Sequence, residues 1–450
     1  MESLVGASFN PRWTKLASVT VATGFASGLA GMMLGLLLRL VQHIAYGYSL
    51  HEIVSRESFL EGVTASSPVR RVAVLAVCGA VAGFGWWAIY RFGKPLVSIA
   101  KATKENGPAM PFVTTVVNVM LQIVTVALGS PLGREVAPRE LGAVLAGWIS
   151  NRARLTTEDR RILVACGAGA GLAAVYNVPL GGTLFTLEVL LGTFALPALI
   201  PALITSVIAA VMARIGLGDA PLYTLPAVSV SSSLIGWSIV AGPLFGLCAY
   251  WFVRASGWAR AHAPRDWRLP LWCLPVFIAI GFLAIPFPYL LGNGRGIVQT
   301  GFDSNLGLGL AAALFVLKAA VVIGTLRAGA EGGLLTPGLS LGVTLGGLLF
   351  GFWNHVWPTA PSAAFAILGG AAFLASSMKM PLTAIALILE LTRVNPEFVA
   401  PVCFAVAGSI TVFHALTQRQ TQPVWKHLHG DIPIGSERRA TATALTSQAV

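Results

Sequence analysis

Long apolar stretches recur along the whole chain, at 16–38, 72–89, 199–211, 234–252 and 311–326, and nothing else in the sequence limits the fold as much. Crossing the hydrocarbon core of a bilayer takes about 20 helical residues, and backbone groups inside it must be satisfied within their own segment. Composition agrees, since 55% of the 450 residues are hydrophobic and 11% charged, with a mean hydropathy of +0.76. That is too apolar for a series of soluble domains. The expected fold class is all-α, a polytopic membrane protein. The first stretch follows Arg12 and Lys15 and continues without a small-residue cleavage pattern, so it reads as a retained helix rather than a signal peptide. No stretch is left over for an extramembrane domain. Residues 430–450, rich in Thr, Ala, Ser and Arg, read as a disordered tail with no regulatory domain.

The formal net charge of +12 sits mainly in short segments and reads as positive-inside topology signal, with no nucleic-acid partner implied. Five cysteines, Cys78, Cys166, Cys248, Cys273 and Cys403, are scattered through apolar segments, a spacing that suggests neither disulfides nor a metal site. The seven histidines form no HExxH pattern, and with no paired aspartates an intramembrane enzyme is not indicated. No cofactor is implied.

The chain also resembles itself. GAGAGLAAVYNVPLGGTLFTLE (167–188) returns as GGAAFLASSMKMPLTAIALILE (369–390), an offset of 202. Each copy is a run of small residues, a proline (Pro179, Pro381) and an apolar helix with a glutamate nine residues after the proline (Glu188, Glu390). Just upstream, GREVAPRELG (133–142) faces GLLTPGLSLG (333–342) at an offset of 200. Two nearly equal offsets in the same order imply duplicated halves. The boundaries expected are a cytoplasmic segment at 1–16, a first membrane repeat at 17–218, a second at 219–429, and the tail.

Both GREVAP and GGLLTP interrupt an apolar context with Gly and Pro. Proline is tolerated just inside a helix start, where no backbone donor is lost. A helix that begins inside the membrane presents unpaired N–H groups and about half a positive charge, so two such starts converging bind an anion without a fixed full charge. Intramembrane charges usually need partners, so Arg139 and Glu140 read as pairing and orienting groups, with Arg134 either such a group or an anion contact. Glu188 and Glu390 read as structural groups that hydrogen-bond nearby helix starts, with a part in proton transfer as the lesser reading for Glu188.

GREVAP at 133–138 resembles the GREGP motif of the CLC family of chloride channels and proton-coupled chloride transporters, and GGLLTP at 332–337 is similar to its GxFxP motif. NVPLGGTLFTLE (177–188) and MPLTAIALILE (380–390) match further CLC segments. The resemblance covers roughly residues 20 to 430. It implies a CLC-type fold of two inverted-topology repeats with broken and re-entrant helices, a homodimer with one anion pathway per subunit, and a multi-pass protein of the bacterial inner membrane. It places the gating and proton-accepting glutamate at Glu135. By the same resemblance the anion meets Arg134, Val136, Ala137, Leu334 and Leu335, an inner residue at position 94, and Trp425.

Three positions depart from the family pattern. Counting back 41 residues from Glu135 puts Lys94 where the family has a serine, so a full cation replaces a neutral hydroxyl. Turned inward, it would pair with Glu135 as a latch opened by acid; otherwise it snorkels to the cytoplasmic surface. Val189 follows Glu188, where family transporters often carry a proton-relaying glutamate. Leu335 and Trp425 replace a phenylalanine and a tyrosine, which makes anion a firmer expectation than chloride. The resulting function is anion transport gated by Glu135 and modified by Lys94, channel-like or weakly coupled and acid-activated. Proton-coupled anion exchange and a non-conducting sensor are the alternatives.

Overall fold

The computed structural model describes residues 11–48, 58–357 and 362–421. Trp425 and the 430–450 tail lie outside the described residues. The first half comprises α1 (Pro11–Tyr46), α2 (Phe59–Ala65), α3 (Pro68–Phe92), α4 (Ile99–Ala102), α5 (Phe112–Ala127), α6 (Val136–Arg152), α7 (Thr157–Tyr176), α8 (Pro179–Leu184), which continues as a π-helical segment Phe185–Leu191, and α9 (Leu196–Leu217). The second comprises α10 (Ser232–Ala261), α11 (Leu269–Leu283), α12 (Arg295–Phe302), α13 (Leu308–Ala328), α14 (Leu335–Val356), α15 (Ala363–Met378), α16 (Pro381–Thr392) and α17 (Val399–Thr421). The helical fold class read from the sequence is the one observed. Seven of these helices are long and apolar enough to cross a membrane; the shorter apolar ones, such as α5, α15 and α16, are the broken elements. Residues up to Phe413 gather into one compact unit, and the segment from His414 forms another.

Local sequence explains the breaks. α7 stops at Asn177, which takes a left-handed φ of 56°, and α15 stops at Lys379 with a φ of 54°. In each case a proline two residues later begins the next helix, as expected where the chain must leave a helix and start another. The repeated glycines serve close approach. A Cβ at Gly142 or Gly167 would overlap the backbone of the other, so α6 and α7 meet main chain to main chain; Gly342 and Gly369 do the same for α14 and α15. Lipid offers no hydrophobic reward for helix association, so such close packing is what holds membrane helices together.

The contacts also fix direction. Arg12 at the start of α1 reaches Asp159 in the first turn of α7 at 3.3 Å, so those ends and the end of α6 share one face. The Arg70 guanidinium, at the start of α3, donates to the Ala45 carbonyl near the end of α1 at 2.7 Å, so α3 begins on the opposite face and returns at Phe92. Ala363 N donates to Ser304 Oγ at 3.2 Å, and Gln299 Nε2 to the Thr224 carbonyl at 2.9 Å. These contacts carry the end of α14 to the face opposite Arg12. α6 and α14 thus start together in the interior and run in opposite directions, the inversion expected of the two halves.

Candidate functional site

The two interior starts are tied backbone to backbone. Gly133 N donates to Gly333 O at 2.7 Å and Gly333 N to Gly133 O at 2.9 Å, an antiparallel bridge between halves. It sets Glu135 opposite Leu335. The Glu135 carboxylate is fully buried, and its Oε1 accepts the Leu335 N–H at 2.6 Å. Leu335 is the first residue of α14, so this amide has no acceptor within its own helix. Tyr176 donates its hydroxyl to Glu135 Oε2 at 3.4 Å and shares a hydrogen bond with Thr336 Oγ1 at 2.9 Å. A Cβ at Gly133 or Gly333 would meet the Glu135 carboxylate where it now rests.

The neighbouring charges have other duties. Arg139 donates Nε to the Glu135 backbone carbonyl at 2.9 Å, and its guanidinium lies over the Phe185 ring, 4.9 Å from the centroid. Arg134 lies over the Tyr176 ring at 5.2 Å. Among the described residues no ion pair joins either arginine to the Glu135 carboxylate. Glu140, one turn further toward the Arg12 face, accepts from Asn118 Nδ2 at 2.9 Å and Gln122 Nε2 at 3.0 Å. Val136 and Ala137 open α6 beside Glu135, and Leu334 is the residue immediately before α14.

Lys94 is exposed, in the loop after α3. Its backbone N–H donates to Thr114 Oγ1 at 3.2 Å, and no ion pair joins its ammonium to Glu135 among the described residues. The carboxylate rests on a backbone amide instead.

At the surface between α8 and α16, where Leu180 and Leu382 are exposed, two more glutamates sit on helix starts. Glu188 accepts from Leu382 N at 3.0 Å, Thr383 N at 2.7 Å and Thr383 Oγ1 at 2.6 Å. Glu390 accepts from Leu180 N at 2.9 Å and Gly181 N at 2.7 Å. Each half's glutamate satisfies the other half's first-turn donors.

Reasoning from the sequence missed Tyr176. The repeat gives no hint, since its counterpart is Met378, but a lone phenol closing the small-residue run GAGAGLAAVY was the available signal. It also missed Glu331, which accepts from the Tyr90 hydroxyl at 2.9 Å and is half-buried, as Glu140 is.

Comparison with known proteins adds to this geometry. The family model for the voltage gated chloride channel matches residues 76–414. The voltage-gated ClC-type chloride channel ClcB of Citrobacter koseri is 31% identical over 354 residues, covering 74% of this chain and 82% of the relative. ClcB of Escherichia coli O157:H7 is 29% identical over 348 residues with the same coverage. Among solved structures, a slow cyanobacterial Cl⁻/H⁺ antiporter superposes with a TM-score of 0.77 at 20% identity, over 89% of this chain and 95% of that one. A CLC-type fluoride/proton antiporter gives 0.64 at 21%, over 89% and 97%. At such identities the two structures speak for the fold alone.

Proposed function

Since the chain belongs to the voltage gated chloride channel family, we propose that this multi-pass membrane protein carries chloride or a similar inorganic anion through a pore in each subunit of a homodimer, with Glu135 as the gate. The observation that carries the reading is the buried Glu135 carboxylate on the Leu335 amide. A carboxylate there is an anion standing where a transported anion would stand. Hydrogen bonds to charged groups are worth about 1.5–3 kcal/mol net, strong enough to close the path and weak enough to be displaced. Protonation removes the charge that the amide favours, so acid opens the path. Lys94, on the loop after α3, attracts anions on the approach from the Arg12 face and offers a second resting place to a Glu135 side chain that leaves Leu335. Transport is channel-like or weakly coupled to protons. The test is chloride flux from reconstituted vesicles between pH 7.5 and 4.5. A rise with acid that Glu135→Gln abolishes supports the gate, and flux indifferent to pH contradicts it.

One observation favours a second reading, proton-coupled exchange. Val189 is apolar and 39% exposed, but Glu140 and Glu331, both half-buried, stand on the side of Glu135 toward the Arg12 face and supply carboxylates that a proton could use. An imposed chloride gradient that drives uphill proton movement selects this reading; passive flux alone selects the first.

A further inference from the structure

Four arginines line one cavity near the face opposite Arg12, and three of them lack an acidic partner among the described residues. It measures about 90 Å³ and is lined by Arg39, Arg134 and Arg295 together with Tyr176, Asn177 and Arg214. Arg214 has an acid of its own, Asp219 at 3.1 Å. The other three have none, because among the described residues no ion pair reaches Arg39, Arg134 or Arg295. Arg39 instead feels the charges of Arg134 and Arg295, and Arg295 that of Arg134. The Arg134 Nε is buried with no hydrogen-bond partner among the described residues. Arg295 uses one amino group on the Leu222 carbonyl at 3.1 Å. Like charges gathered in a partly desolvated pocket repel, and a donor buried without an acceptor is costly. One counter-ion with several oxygens relieves both.

We propose that this cavity is an oxyanion site separate from the Leu335 position, taking a doubly charged tetrahedral ion of the sulfate or hydrogen phosphate class, and that its occupant inhibits anion flux. Planar guanidinium forks match pairs of oxygens on such an ion better than they match a monatomic halide. A dianion also neutralises more of the three charges. The volume is enough for one small ion. Inhibition rests on the gating reading above: Arg134 lies on the Tyr176 ring, and the Tyr176 hydroxyl donates to Glu135. An ion that fixes Arg134 therefore fixes the closed carboxylate.

Binding is measured apart from transport, by calorimetry of the purified full chain titrated with sodium sulfate at pH 7.5. One site per chain is expected, weakened at least tenfold in Arg39→Gln and in Arg295→Gln and less in Arg295→Lys, which keeps the charge and loses the fork. In vesicles with sulfate on both faces, wild-type chloride flux falls at least twofold. Flux through folded Arg39→Gln and Arg295→Gln protein stays near its sulfate-free level. Sulfate bound with these affinities by a chain that shows no flux would leave the site standing and remove the gating reading. No sulfate binding by the wild type, binding indifferent to both arginines, or heat that follows residual anionic lipid rather than sulfate overturns the proposal, the last by assigning the cavity to a lipid headgroup.

Discussion

The same contact, a glutamate carboxylate on the bare amides of a helix start from the other half, is made at the surface of this protein and in its interior, with different partners. At the surface it is reciprocal: Glu188 takes three donors from the start of α16 and Glu390 two from the start of α8. In the interior it is one-sided. Among the described residues Glu135 has a single backbone donor and a distant phenol, and its counterpart at the 200-residue offset is Leu335, which has no carboxylate to give back. A carboxylate with several charge-assisted bonds is a lock, and one with a single short bond is a stopper that an anion or a proton can remove. The helix starts occur twice, and at the central pair only the first half carries a carboxylate, Glu135 against Leu335.

Substitutions test that contrast, the interior glutamate first. Glu135→Gln removes the charge that blocks the amide, so flux at pH 7.5 is expected to rise roughly ten- to hundredfold, the equivalent of one charge-assisted hydrogen bond, and to lose its dependence on acid. Unchanged flux would put the stopper elsewhere. Next come the surface glutamates. Glu188→Ala and Glu390→Ala each leave first-turn donors unpaired and should cost about 2–3 kcal/mol of stability, read from thermal melts in detergent, while flux per folded protein keeps its pH profile. A changed profile would make them gates and erase the distinction. A smaller effect is expected for Lys94→Ser: an exposed charge near an ion is worth about 1 kcal/mol in water, or roughly a fivefold weaker half-saturation for chloride.

The smallest effect belongs to Asp219→Asn. Asp219 lies in the stretch between the two halves, where the Asn177 amide, followed by Arg214 and Arg393, holds its carboxyl below the ordinary aspartate value. A lowered pKa stabilises the fold above the unfolded value and ceases to do so as pH falls through the folded one. Wild type and Asp219→Asn should therefore differ slightly in melting temperature at pH 6 and converge below about pH 4. A difference that grows with acid would reverse the sign.

Much of this was legible in the sequence because repeats and breaks are local. Glycine, a proline two or three positions inside a helix start, and a glutamate nine residues after Pro179 or Pro381 announce themselves without coordinates, and they pointed to the helical class and the duplicated halves, whereas the meeting of Glu135 with Leu335 was an expectation carried by the resemblance of GREVAP and GGLLTP to CLC motifs. What stayed hidden depends on contacts between distant segments. Nothing in the chain near Glu188 says that its acceptor role is filled by Leu382 and Thr383, and nothing near Arg39 says that Arg134 and Arg295 share its cavity. Lys94 marks another limit. Its place in the motif left two readings open, an inward partner for Glu135 and a side chain that snorkels to the surface, and the geometry puts the carboxylate on a backbone amide and the lysine at an exposed position.

The most direct measurement is anomalous diffraction from Glu135→Gln crystals grown in bromide. With the charge gone, a bromide peak within hydrogen-bonding distance of the Leu335 amide is predicted, at the place the carboxylate now fills. An empty amide, with bromide bound only elsewhere in the chain, would contradict the idea that Glu135 occupies the anion's own seat.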